Sequence, residues 1–105
     1  MVLVHYQTME EVGPGELRTL RGLVKHLRRF GVNMRLWRKS DLLCGLRPAG
    51  ARWGHVRARC EEEIRRTIAA ISLLSRALPG ITWSVYVEGN GGELMLRNGR
   101  CVALR

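Results

Sequence analysis

Four cations recur near the start of the chain at helical spacing, Arg18, Arg21, Lys25 and Arg28, with Arg29 beside them. Steps of three and four residues put side chains on one helix face. At ~1.5 Å of rise per residue, the row from Arg18 to Arg28 is about 15 Å long. Apart from Glu16 at its start, this segment contains no acid through Phe30. Like charges at such spacings cost an isolated helix ~0.2–0.5 kcal/mol per pair. An anion lying along the row would remove that cost. Guanidinium groups bond phosphate oxygens two at a time, so the chemistry implied is phosphate binding. A row of this length reaches roughly two or three phosphates of one strand. The rival reading is an exposed helix face in an Arg-rich protein.

The next segment extends the pattern. Residues Val32 to Lys39 alternate, with Val32, Met34 and Leu36 on one side and Asn33, Arg35, Trp37 and Lys39 on the other. A tryptophan between two cations suits stacking on a base while Arg35 and Lys39 hold phosphates, and such stacking is worth ~1–3 kcal/mol per base. Packing of Trp37 under a helix or loop, or a cation–π contact with Arg35 or Arg38, competes equally. Trp53 is either a second platform or, by preference, the start of an apolar helix stripe. Trp83, in phase with Ile81 and Val85, is expected in the core.

Residues for catalysis or metal binding are sparse. His5, His26 and His55 share no metal spacing with a cysteine, and there is no Cys-x-x-Cys or His-x-x-x-His pair. The acids cluster at 10–11 and 61–63 and form no obvious acid–base pair. No metal, cofactor or small-molecule substrate is therefore expected, and no enzyme activity. A metal-free ribonuclease toxin built on His26 is the remote alternative. The Gly89 to Gly92 run lacks the Lys-Ser/Thr of a phosphate loop and opens no helix. Aromatic ribonucleoprotein boxes, clamped Gly-x-x-Gly loops and helix-turn-helix spacings are missing. Backbone and shape recognition is what the charge pattern permits.

Composition sets the frame. With 105 residues the chain has the size of one domain, residues 1 to 105, able to bury a core. At 46% apolar and 26% charged residues, it reads as globular. Eighteen Lys and Arg against nine Asp and Glu give a net charge of +9. Of the cations only Lys25 and Lys39 are lysine. Such a surplus repels itself and calls for a polyanion or an acidic partner, nucleic acid being the commonest. A GC-rich genome would also enrich arginine, and so would a reading frame overprinted on another gene. Three widely spaced cysteines, Cys44, Cys60 and Cys101, argue for a reducing, intracellular setting (cytoplasm or nucleus) and for thiols buried in the core. No secretory leader or membrane span is expected.

The elements that must position these residues follow from periodicity. Val2 to Gln7 reads as a strand, and Pro14 or Gly15 to Phe30 as a helix with Gly31 as its stop. Val32 to Lys39 reads as a strand, Ser40-Asp41 as a turn and Leu42 to Arg47 as a return strand. The second helix is expected to start between Trp53 and Ala58 and to run to Leu78, with Val56, Cys60, Ile64, Ile68, Ile71, Leu74 and Leu78 as its stripe. Glu61 and Glu62 precede Arg65 and Arg66 by four residues, and Arg59 precedes Glu63 likewise, so these charges neutralise one another. Ile81 to Glu88 reads as a strand. Glu93 to Arg97 and Arg100 to Arg105 flank Asn98-Gly99, a hairpin signal.

The expected fold is α+β, with two amphipathic helices packed on one face of a mostly antiparallel sheet, in the order β-α-β-(β)-α-β-β-β. The expected function is non-catalytic binding of nucleic acid, RNA ahead of DNA, as in a viral or phage accessory factor. The contacts would be Arg18, Arg21, Lys25, Arg28, Arg29, Arg35, Trp37 and Lys39. A protein–protein module or inhibitor docking on an acidic partner is the second reading. The final hairpin could pair with a second copy of the chain in a homodimer.

Overall fold

The computed structural model describes residues 1–38 and 50–105. The return strand expected over Leu42 to Arg47, the Ser40-Asp41 turn, Lys39 and Cys44 lie outside the described residues. Six strands form one antiparallel sheet: β1 (Val2–Thr8), β2 (Trp37–Arg38), β3 (Arg52–Ala58), β4 (Thr82–Val87), β5 (Leu94–Arg97) and β6 (Arg100–Leu104). Their spatial order is β2-β3-β1-β4-β5-β6. Two helices, α1 (Pro14–Arg28) and α2 (Glu61–Ala77), complete the described residues. The α+β class and the element order agree with the sequence expectation.

Strand register separates two faces. Val4 and Tyr6 lie opposite Val56 and Gly54 on β3, and opposite Val87 and Val85 on β4. This face meets Leu20 and Val24 of α1 and Ala70, Ile71 and Leu74 of α2 in one buried cluster around Trp83. Trp83 is fully buried, as its phase with Ile81 and Val85 implied. The opposite face carries Gln7, His5, Trp53, His55 and Tyr86, because successive strand residues point to opposite sides.

The helix ends have local causes. Pro14 fills the first position of α1, where its missing N–H is no loss, and the Glu16 carboxylate accepts a hydrogen bond from the Gly13 N–H at 3.3 Å. Gly31, at φ +83°, turns the chain away. Phe30 therefore lies beyond the helix rather than on its stripe, and is exposed. In α2 the expected pairs form: Arg59–Glu63 at 3.3 Å, Arg65–Glu61 at 3.6 Å and Arg66–Glu62 at 3.5 Å.

Residues 52 to 58 correct the sequence reading, because they form β3 rather than the opening of α2. Val56 happens to fall in helical phase with Cys60, but it is half-buried because it stands opposite Val4 on the side of the sheet that packs on the core. Trp53 accordingly stands on a strand and starts no helical stripe. Cys60 is the N-cap of α2, and both Cys60 and Cys101 are exposed, so the core role expected of these cysteines fails. The Asn98-Gly99 turn forms as expected, with both residues at positive φ.

Candidate nucleic-acid interface

Of the described part of the expected Val32 to Lys39 strand, residues 32 to 38, only Trp37 and Arg38 join the sheet. The cause is one side chain. Tyr6 lies across Gly54, and its hydroxyl donates to the Arg35 carbonyl at 2.6 Å and accepts from the Arg35 N–H at 2.8 Å. Both backbone groups that Arg35 would offer to a ladder are thus bonded to a phenol instead. Burial pushes the Tyr6 hydroxyl up to about 12, partly offset by the Arg35 backbone bond and charge. The in–out alternation nevertheless holds: Val32 and Met34 are buried, whereas Asn33, Arg35 and Trp37 are exposed.

Fixing this segment creates a groove against α1. Arg21, Val24, Lys25 and Arg28 form one wall, and Met34, Arg35, Leu36 and Trp37 the other, enclosing about 460 Å³. Five residues singled out by type and spacing therefore meet here: Arg21, Lys25, Arg28, Arg35 and Trp37. Arg18 on α1 and Arg29 at its cap are exposed outside that lining. Lys39 is outside the described residues. Among the described residues, none of the α1 cations forms an ion pair, in contrast to the arginines of α2.

The site extends beyond the residues read from the sequence. Burial lowers the pKa of the Arg52 guanidinium, and the charges of Arg21 and Arg38 lower it further. The guanidinium groups of Arg21, Arg38 and Arg52 are thus near enough to repel one another. A second pocket shares Arg35 and Trp37 with the first and adds Asn33, His55, Arg57 and Arg59. Arg52, Arg57 and His55 escaped the sequence reading because residues 52 to 58 looked like the start of a helix. Their alternation around Gly54 was the strand signal that could have found them.

Aromatic rings continue the track across the sheet. Trp37 pairs with Trp53 at a centroid distance of 4.9 Å and with His55 at 5.4 Å. His55 faces His5 at 5.8 Å, and His5 stacks on Tyr86 at 4.6 Å with the planes 11° apart. Trp37 and Tyr86, at the two ends, are 37% and 41% exposed. Apart from Trp53 and His55, which share β3, these rings stand on different strands, so register is what brings the series together. Among the described residues, no three His, Cys, Asp or Glu side chains gather as metal ligands would, and no helix is long and apolar enough to cross a membrane. No protein-family model, curated protein or solved structure matches the chain.

Proposed function

We propose that the protein binds nucleic acid, RNA ahead of DNA, through the groove between α1 and residues 33 to 37, without acting on it chemically. The observation that carries this reading is the convergence of Arg21, Lys25, Arg28 and Arg35 on one groove that Trp37 also lines. Phosphates would sit between the cations and a base would meet the indole. Arg38, Arg52 and Arg57 extend the field around the groove, and Arg18 and Arg29 would meet phosphates at its margins. Recognition would follow backbone and shape rather than base edges. Such binding belongs inside the cell, where the polyanion is.

Salt dependence tests it. Four cations on four phosphates should give a log–log slope of affinity against salt of about −3 to −4, whether the strand is single or paired. Binding that ignores salt would overturn the reading.

Two further readings each have an observation behind them. β6 is the outermost strand of the described sheet, and its Val102 and Leu104 are 57% and 78% exposed. An apolar edge of this kind supports pairing with a second copy of the chain, which a mass measurement in solution would reveal. The second concerns cleavage. His5 and His55 face one another on neighbouring strands, and two imidazoles are enough for metal-free general acid–base attack on RNA. Cleavage of labelled RNA in chelator, lost in both His5→Ala and His55→Ala, would establish that activity in place of passive binding.

A further inference from the structure

We infer that the sheet face opposite the helices is a stacking platform for unpaired bases, so that the nucleic acid bound is single-stranded. This rests on the groove reading and adds the class of strand.

The inference starts from continuity. Arg35 and Trp37 line both the groove on the α1 side and the pocket that holds His55, Arg57 and Arg59. A strand leaving the first can therefore enter the second across Arg35 and Trp37, which the two share; the one acid lining the second, Glu63, is paired with Arg59 at 3.3 Å. From Trp37 the rings run through His55 and His5 to Tyr86, across β2, β3, β1 and β4. Three strand spacings of ~4.8 Å make this path about 14 Å long. Bases within a duplex stack on each other and present no π face to a protein. Only a strand with splayed bases can use exposed rings, and open sheet faces with aromatic side chains hold roughly two or three of them.

The charges fit the same occupant. Arg35 and Arg57 flank the Trp37 end, where Arg59 is paired with Glu63. The far end is closed by Glu88, whose carboxylate lies 3.3 Å from the His5 Nε2. Phosphates would therefore follow the arginine side, with bases directed onto the rings. An acidic peptide would use the arginines but has no reason to need Tyr86, which stands away from them.

The test compares a labelled ten-nucleotide oligo-uridine or oligo-thymidine with a blunt duplex of equal length, at one salt concentration. The single strand should bind more tightly. Tyr86→Ala and Trp37→Ala should each weaken it by roughly five- to a hundredfold while sparing the duplex. Tyr86→Phe keeps the ring and should restore binding. Tyr86 is exposed, so its replacement does not threaten the core. Salt-sensitive binding indifferent to Tyr86→Ala, or equal losses on strand and duplex, would overturn the platform and leave the groove standing. Absence of binding to every probe would overturn both.

Discussion

The Tyr6 hydroxyl closes a two-way hydrogen bond with the Arg35 backbone, donating to its carbonyl at 2.6 Å and accepting from its N–H at 2.8 Å. A residue in the centre of the sheet thereby sets the position of a cation and of Trp37 two residues later. Tyr6→Phe removes both bonds and leaves two peptide groups unpaired. It should cost about 1–3 kcal/mol in urea unfolding and loosen Arg35 enough to weaken binding.

The same hydroxyl predicts an alkaline weakness. Its pKa is raised from 10.0 to about 12 in the fold. The unfolded chain ionises first, so this contribution is intact below pH 10 and disappears as pH climbs through 12. The difference is worth about 2–3 kcal/mol. Wild type should lose more stability than Tyr6→Phe between about pH 9 and about pH 12. Equal losses in the two proteins would show that Tyr6 is not the source.

Gly54 makes that bond sterically feasible. A Cβ there would overlap the Arg35 carbonyl oxygen and sit 2.5 Å from the Tyr6 hydroxyl. Gly54→Ala should therefore destabilise the protein by about 1–3 kcal/mol through overpacking. Gly22, inside α1, meets nothing within 4 Å. Gly22→Ala should stabilise by roughly 0.5–1 kcal/mol, since alanine is the better helix former. Opposite shifts in the urea midpoint would check both claims at once.

The contrast between these glycines shows what the sequence could reveal. The periodic parts were legible: the α1 stripe, the α2 ion pairs, the Asn98-Gly99 turn and the buried phase of Trp83 all depend on near neighbours. The groove was half legible, because spacing places Arg21, Lys25 and Arg28 on one face but does not say what faces them. What brings Arg35 opposite that wall is a bond from Tyr6, 29 residues away. His5 and Tyr86 stack across 81 positions of sequence, and no local pattern encodes that pairing. The β3 misreading had the same origin, since Val56 fits a helical period by coincidence and a strand register by design of the core.

The exposed thiols give a direct check on surface geometry. Cys60 and Cys101 should react with a thiol reagent in the native state, without denaturant. Cys60 also occupies the N-cap of α2, where its side chain makes no capping bond. Cys60→Ser should remove one fast-reacting thiol and add about 0.5–1 kcal/mol of stability, because a serine oxygen can accept a bond from an orphan N–H of the first turn. Slow labelling at position 60 would mean that the start of α2 is covered.

Charge reversal at two places separates a site from mere net charge. Arg21→Glu with Lys25→Glu removes two groove cations, and Arg65→Glu with Arg66→Glu makes the same formal charge change on α2. Both lower the long-range attraction of a polyanion at low salt. Only the α1 pair lies in the proposed phosphate groove, so only it should flatten the salt slope, by about 1.4–1.8 for two lost contacts. Neither α1 cation has an ion-pair partner among the described residues, so that variant should fold normally. The α2 variant loses its pairs with Glu61 and Glu62 and gains like-charge neighbours, which costs stability but not the slope. Affinity and slope that fall equally in both variants would mean the polyanion responds to total charge, and the groove would have no special role.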